Sequence, residues 1–117
     1  MSNSYQIYLI SDSTGETLDR IFLALKAQFK DFDYDTNHFS FTRTENQIKK
    51  IFEKINKKKK IIILYTIVDS KLSDFLIDES EKKNIPCFGV LGDLIKSFSK
   101  ILNQNALHVP SRQHIMN

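Results

Sequence analysis

One stretch of the sequence strongly limits the fold, the apolar run KIIILYTIV at 60–68. After its first residue the run is apolar or β-branched throughout, without the alternation of a strand that has one face in water. Such a run is typical of a strand buried on both faces of a parallel sheet, because crossover helices cover both sides of that sheet. The rest of the chain must therefore supply parallel strands beside it and helices on both faces.

The remaining sequence supplies this pattern. Further strands are predicted at Tyr5–Ser11, 38–42 and 86–91, and apolar residues spaced by three and four after each strand predict four amphipathic helices. The order βαβαβαβα predicts a three-layer α/β/α sandwich around a four-stranded parallel sheet, Rossmann-like or flavodoxin-like. The element order does not fix the order of the strands, for which we expect 2-1-3-4. The apolar helix positions are, in chain order, Leu18, Ile21, Phe22, Leu25 and Phe29; Ile48, Ile51, Phe52 and Ile55; Leu72, Phe75 and Leu76; and Leu94, Ile95, Phe98, Ile101 and Leu102.

The composition limits the class of protein. The 117 residues, 41% hydrophobic and 26% charged, suit one globular domain with a single core. No apolar run reaches the length of a membrane span, the N-terminus lacks the features of a secretory signal, and the lone Cys87 excludes an intrachain disulfide. We therefore expect a cytoplasmic protein without a membrane partner. Residues 1–103 are expected to form one α/β domain and 104–117 an irregular tail.

Four consecutive lysines at 57–60 supply much of the formal net charge of +3. A basic run of this kind can form a patch that binds phosphate or nucleic acid. However, no aromatic residue is interleaved with the lysines, as a stacking platform for bases would require. We therefore interpret the run as a solvated helix end, where cations suit the helix dipole, and expect no nucleic-acid partner.

Polar residues follow each predicted strand, at the end where parallel sheets bind ligands. Because the carboxyl ends of parallel strands share one edge, we expect the four groups to lie together. They are Ser11, Asp12, Ser13 and Thr14 after the first strand; Thr42, Arg43 and Thr44 after the second; Thr66, Asp69 and Ser70 after the third; and Gly92 and Asp93 after the fourth.

The richest of these groups is the SDSTGET segment at 11–17. Ser13 and Glu16 match a capping box, in which the Ser13 hydroxyl accepts from the Glu16 N–H and the Glu16 carboxylate accepts from the Ser13 N–H. The alternative is an anion site, because a helix N-terminus offers free N–H groups, Thr14 and Thr17 add hydroxyls, and Gly15 permits a close approach. The two acidic residues of the segment oppose an anion unless a cation pairs with them. The residues alone favour neither interpretation.

Other candidates lie in the loops that lead into the helices. Thr44 and Gln47 predict a second capping box. Arg43 is either a phosphate clamp or, as the residues alone favour, half of a surface ion pair with Asp12 or Glu16. Asp69 is expected to cap the third helix.

The cysteine, the histidines and the tail offer less. Cys87 lies within a predicted strand, and nothing near it in sequence would lower its pKa, so we expect a structural role. The three histidines have the spacing of no common metal site, and we predict no metal. Arg112 and His114 could fold back over the sheet edge as phosphate-seeking groups, although a solvated tail is favoured.

Four segments carry a resemblance to a known family, in chain order IYLISDSTGETLDRIFLALKAQF, ILYTIVDSKLSDFL, IPCFGVLGDLI and PSRQH. Together they resemble the N-terminal part of the bacterial pyruvate, phosphate dikinase regulatory proteins, a family that includes the phosphoenolpyruvate synthase regulatory proteins. The resemblance covers essentially the whole chain but less than half of a typical member. The chain departs from the family at Ser111, where a glycine is expected after Pro110.

The resemblance implies a bifunctional enzyme, an ADP-dependent serine/threonine kinase and phosphate-dependent pyrophosphorylase. It inactivates the dikinase or the synthase by phosphorylating an active-site threonine, and it removes that phosphate by phosphorolysis. The family's P-loop-like motif lies in its C-terminal half, and this chain contains no G-x-x-x-x-G-K-[ST] pattern. We therefore expect 104–117 to lead toward a missing P-loop kinase domain, and the chain alone to be inactive.

The resemblance also implies partners and a candidate site. The dikinase or synthase is the protein substrate. ADP, phosphate and Mg²⁺ are ligands of the full-length family, and no cofactor is expected in this chain. Whether the protein forms a homodimer is left open. The alternative is a stand-alone flavodoxin-like or receiver-like module that binds an anion or nucleotide without catalysis. No catalytic residue is assigned, and the ligand-binding candidates are Asp12, Ser13, Thr14, Gly15, Glu16, Thr17, Arg43, Thr66, Asp69, Arg112 and His114.

Overall fold

The computed structural model describes residues 4–55 and 59–109. Strands and helices alternate as the sequence predicts. The strands are β1 (Tyr5–Ser11), β2 (Tyr34–Phe39), β3 (Lys60–Thr66) and β4 (Cys87–Gly89), and the helices are α1 (Glu16–Lys26), α2 (Glu45–Glu53), α3 (Ser70–Lys82) and α4 (Gly92–Leu102).

The four strands form one parallel sheet in the order β2-β1-β3-β4. This confirms the predicted fold class and the predicted strand order. Strand β3 lies between β1 and β4, and from Ile61 to Thr66 every residue is buried except the half-buried Ile62. The continuous apolar sequence of β3 thus follows from its position inside the sheet, with helices on both sides.

The sheet has a different apolar cluster on each face. Neighbouring residues of β1 point to opposite faces, with Ile7 and Leu9 in one cluster and Ile10 in the other. Helix α1 covers the first face through Leu18 and Phe22. Helices α2 and α3 cover the second face, which holds the larger cluster, through Ile48, Ile51, Phe52, Leu72 and Leu76. The helices on both faces hold the carboxyl ends of the strands in a fixed arrangement.

Helix α4 differs from the other three because none of its side chains is buried. Leu94, Phe98, Ile101 and Leu102 are between 56% and 78% exposed. In a βα repeat each crossover helix packs over the strands that it connects, and no fifth strand follows α4 in the chain described, through residue 109. No helix of the described ranges is both long and apolar enough to cross a membrane.

Three predicted strands have different bounds in the structure. The third, predicted over 60–68, already ends at Thr66. The second is Tyr34–Phe39 instead of 38–42, because Phe41 takes a left-handed backbone, φ 55°, which ends the strand. Its first residues are mostly polar and exposed, as suits the edge of a sheet, so they give no apolar signal. The fourth strand is Cys87–Gly89 instead of 86–91, since Pro86 has no N–H to pair and Leu91 already caps α4.

Two apolar residues predicted to lie in helices fall outside them. Helix α1 ends at Lys26, and the Phe29 N–H donates to the Lys26 carbonyl oxygen at 3.1 Å, a turn that closes the helix. Helix α2 ends at Glu53, and the Ile55 N–H donates to the Phe52 carbonyl oxygen at 3.2 Å in the same way. Such tightened last turns are common at helix ends.

The lysine run does not end a helix where the structure describes it. Lys59 and Lys60 are exposed, and Lys60 is the first residue of β3. The interpretation of these two residues as a helix end is therefore wrong, and the first two lysines of the run lie outside the described residues.

Candidate functional site

The carboxyl edge of the sheet brings together the polar groups predicted after the first three strands, and no hydrogen bond joins Gly92 or Asp93 to them among the described residues. The Asp12 N–H, just after β1, donates to the carbonyl oxygen of Thr66, the last residue of β3, at 3.1 Å. The loop after β2 joins the same edge, because the Thr42 N–H donates to the Ser11 carbonyl oxygen at 2.8 Å. Ser11, Asp12, Thr42 and Thr66 are all buried. The edge is thus held together by main-chain hydrogen bonds between loops that are distant in sequence.

Asp12 is a buried carboxylate at the centre of this edge, with only 5% of the residue exposed. Its Oδ2 accepts from the Val68 N–H at 2.9 Å, and its main-chain carbonyl accepts from Nε of Arg43 at 2.7 Å. Burial raises the pKa of Asp12 above its ordinary value, although the Val68 N–H and the charge of Arg43 act in the opposite direction. Asp12 therefore joins three loops, and its carboxylate already has a main-chain partner.

Arg43 lies at the same edge but makes neither of the two predicted ion pairs. Its Nε donates to the main-chain carbonyl of Asp12. None of the salt bridges among the described residues includes Arg43. Its guanidinium carbon lies 5.4 Å from the centroid of the Phe41 ring. The terminal nitrogens of Arg43 donate no hydrogen bond within the described ranges, and the residue is exposed. They remain available for the bidentate recognition of an oxyanion.

The capping box predicted at Ser13 and Glu16 is wrong. The N-cap of α1 is Gly15, and no side chain caps this helix. Gly15 has φ 91°, a left-handed conformation that favours glycine, and the N-cap therefore lies two residues beyond Ser13. The Glu16 N–H donates weakly to Oγ1 of Thr14 at 3.4 Å, and the Ser13 N–H donates to Oγ of Ser11 at 3.0 Å.

The first turn of α1 leaves main-chain donors open. The N–H groups of Thr17 and Leu18 have no hydrogen-bond acceptor within residues 4–55 and 59–109, as is usual for the first turn of a helix. Thr14 and Thr17 are exposed and Ser13 is half-buried, so hydroxyls of the same segment are also open to solvent. The exposed Glu16 carboxylate lies in the same turn and opposes an anion.

The other two predicted caps are confirmed. Oγ1 of Thr44 accepts from the Gln47 N–H at 3.2 Å, and the Gln47 side chain accepts from the Thr44 N–H at 3.0 Å. Asp69 caps α3, with its carboxylate accepting from the N–H groups of Lys71 at 2.9 Å and Leu72 at 3.4 Å. Asp69 therefore lies near the site, but its carboxylate is already engaged in capping α3.

Sequence reasoning missed three residues of this edge. The Ser40 hydroxyl donates to the Thr14 carbonyl oxygen at 2.9 Å, and the Phe41 N–H donates to the Ser13 carbonyl oxygen at 2.9 Å. Nδ1 of His108 lies 2.7 Å from the carbonyl oxygen of Val68, so the start of the tail returns to the carboxyl edge. A left-handed Phe41 and a returning tail have no signal in an apolar pattern. The tail candidates Arg112 and His114 lie outside the described residues.

The described residues form neither a metal site nor a reactive thiol. In the described part of the chain, no group of three or more His, Cys, Asp or Glu residues is placed to hold a metal ion. Burial raises the pKa of the Cys87 thiol, against a hydrogen bond with Ser80 that lowers it. The thiolate that a nucleophile requires is therefore disfavoured at Cys87.

Comparison with known proteins identifies relatives over nearly the whole chain. Residues 7–117 match the family model described as kinase/pyrophosphorylase. A pyruvate, phosphate dikinase regulatory protein of Pelagibacter ubique (strain HTCC1062) is 63% identical over 117 residues, which are 100% of this chain and 43% of the relative. A protein of the same name from Alkaliphilus oremlandii (strain OhILAs) is 36% identical over 104 residues, 89% of this chain and 37% of the relative. The chain thus spans less than half the length of these curated relatives.

Proposed function

The chain belongs to the kinase/pyrophosphorylase family, and we propose that it is the N-terminal part of a cytoplasmic protein that regulates pyruvate, phosphate dikinase. The observation that carries this proposal is the family match over 7–117, together with the shared name of the relatives. In the kinase direction, a threonine hydroxyl of the dikinase attacks the terminal phosphorus of ADP, and AMP leaves. In the reverse direction, inorganic phosphate attacks the phosphothreonine, which frees the hydroxyl and yields pyrophosphate. Phosphoenolpyruvate synthase is the alternative protein substrate.

We further propose that the carboxyl edge forms one wall of the phosphate site. Phosphoryl transfer depends on donors and cations that hold the phosphate oxygens and balance their charge. The terminal nitrogens of Arg43 and the N–H groups of Thr17 and Leu18 are donors without partners among the described residues. Asp12 positions the loops that carry them, since its carboxylate already accepts from Val68. Glu16 would require a cation, and Mg²⁺ bound with the nucleotide would supply one.

We expect residues 1–117 alone to have no kinase or phosphorylase activity. The chain supplies donors for a phosphate, but its sequence has no P-loop lysine pattern to complete a cradle. The assay incubates the chain with ADP, Mg²⁺ and histidine-phosphorylated dikinase and measures phosphothreonine by mass spectrometry, with the full-length Pelagibacter relative as the positive control. Threonine phosphorylation by 1–117 would contradict this expectation.

A chimera tests the proposed function itself. Residues 1–117 replace the matching part of the Pelagibacter relative, with which they share 63% identity. We expect the chimera to phosphorylate the dikinase, and Arg43→Gln to lower kcat/KM by about tenfold or more, as the loss of a charged hydrogen bond predicts. The matched control is Arg20→Gln, which removes an exposed arginine from α1. A folded chimera without activity, or equal effects of the two substitutions, would argue against the proposal.

A further inference from the structure

A second concave surface lies at the opposite, amino-terminal edge of the sheet. It is a groove of about 900 Å³ between the first residues of β1 and β3 and the connection from α3 to β4. We call it the basic groove, because four lysines and an apolar floor line it. The lysines are Lys59, Lys60, Lys82 and Lys83, and the floor consists of Ile55, Ile61, Ile62, Ile85, Pro86 and Phe88.

The charge of the basic groove is largely uncompensated. All four lysines are exposed. Glu79, the one acidic side chain among the described residues that line the groove, pairs with Lys82 at 3.2 Å. Lys59 and Lys83 have no ionic partner within the described ranges. The lysine run is therefore extended in space by the end of α3, which the sequence places more than twenty residues away. A chain segment that carries carboxylates would find cations on two sides of the groove.

The floor of the groove is apolar, so an occupant must match an apolar surface as well as the positive charge. Ile61 is buried, Ile62 and Ile85 are half-buried, and the Phe88 side chain at the sheet edge is 57% exposed. An apolar side chain of a ligand that covers this surface would remove it from water and thereby stabilise the complex. A simple anion would use the rim and leave the floor in water. An occupant that uses both must carry carboxylates beside at least one apolar side chain.

The groove suits a peptide better than a nucleic acid. No arginine of residues 4–55 or 59–109 lines it, and lysine offers a point charge without the planar fork that recognises phosphate in a bidentate manner. The Tyr5 ring has the Lys60 ammonium 5.4 Å from its centroid and the Phe32 ring 6.2 Å away, so its surroundings are already occupied. Tyr5 therefore offers a base little open surface, and the single exposed ring of Phe88 does not form a platform on which successive bases could stack.

We propose that the basic groove binds an acidic peptide segment of a partner protein, with an apolar side chain of that segment seated on the floor. The proposal does not depend on the activity at the carboxyl edge, because the groove lies at the other end of the strands. The proposal requires both the charge of the lysines and apolar contact with the floor, and a substitution can remove either one without the other.

The test measures fluorescence anisotropy of a fluorescein-labelled peptide with the sequence EEDFEELEE, at low salt, with the 117-residue chain. We expect Lys59→Gln with Lys83→Gln to weaken binding by about two- to thirtyfold, the range for two exposed ion pairs. The matched control, Lys96→Gln with Lys100→Gln, removes the same charge from exposed positions of α4 and is expected to bind as the wild type does. Thermal unfolding shows that both double variants are folded.

A second pair of measurements tests the floor. Phe88→Ala, and a peptide in which serine replaces the phenylalanine and the leucine, should each weaken binding, whereas high salt should weaken binding through the lysines. Equal losses in the two lysine double variants would overturn the proposal in favour of bulk charge. Unchanged binding of the serine peptide, or equal competition by a single-stranded oligonucleotide of similar charge, would also overturn it.

Discussion

Asp12 is the residue through which the loops of the carboxyl edge are joined. Its side chain accepts from the Val68 N–H, and its main chain bonds to Thr66 and to Arg43. Burying a carboxylate costs free energy unless hydrogen bonds replace its hydration. Here desolvation is the largest influence and raises the pKa, so the hydrogen bonds do not offset the whole cost.

The raised pKa of Asp12 makes stability depend on pH in a defined direction. The folded protein holds the proton more tightly than the unfolded chain, so the free energy of unfolding falls as pH rises above the ordinary value of 3.8 and through the folded pKa. We expect Asp12→Asn to remove this loss, because its amide oxygen can still accept from Val68. Urea unfolding at a series of pH values measures the slope.

The control for this prediction is Asp93→Asn, at an exposed position of α4. It should keep the pH dependence of the wild type. If Asp12→Asn shows the same decline in stability with pH as the wild type, the carboxyl group of Asp12 is not its source.

At the scale of the elements, two identical patterns have different outcomes. Both 13–16 and 44–47 match the capping-box sequence, but only Thr44 caps its helix. The difference comes from Gly15, whose left-handed backbone starts α1 later than the pattern predicts. A pattern of side chains predicts a cap only where the backbone follows the expected path, and that path is set by contacts such as Ser40 with Thr14.

This difference predicts unequal effects of removing the two hydroxyls. Thr44→Ala should lower the free energy of unfolding by about 0.5–2 kcal/mol, the usual cost of an N-cap. Ser13→Ala should cost less than about 0.5 kcal/mol, because its hydroxyl caps no helix. Urea unfolding compares the two, with Thr44→Ser as the variant that retains the hydroxyl. Equal costs at Ser13 and Thr44 would contradict the structure of the first turn of α1.

For the whole molecule, the fold class was accessible from sequence because the alternation of strands and helices depends on periodicity. The apolar run of β3, the alternation of elements and the strand order are all confirmed, and with them the meeting of the groups around Asp12 and Arg43. The hydrogen-bond partners within that edge could not be predicted from the side chains, since Arg43 donates to a main-chain carbonyl oxygen. The basic groove was also missed, because nothing in the sequence indicates that Lys59 and Lys83 line one surface.

The exposed α4 predicts an uneven distribution of stability in the molecule. A helix of 11 residues is marginal in water by itself, and α4 has no buried side chain to hold it. We expect the amide hydrogens of α4 to exchange with deuterium many times faster than those of β3, which open only when the sheet unfolds. Mass spectrometry of exchanged fragments measures both, and equal protection in α4 and β3 would contradict this expectation. Fast exchange in α4 means that residues 92–102 unwind and reform many times during the lifetime of one intact sheet, so this segment behaves as a separate unit of folding.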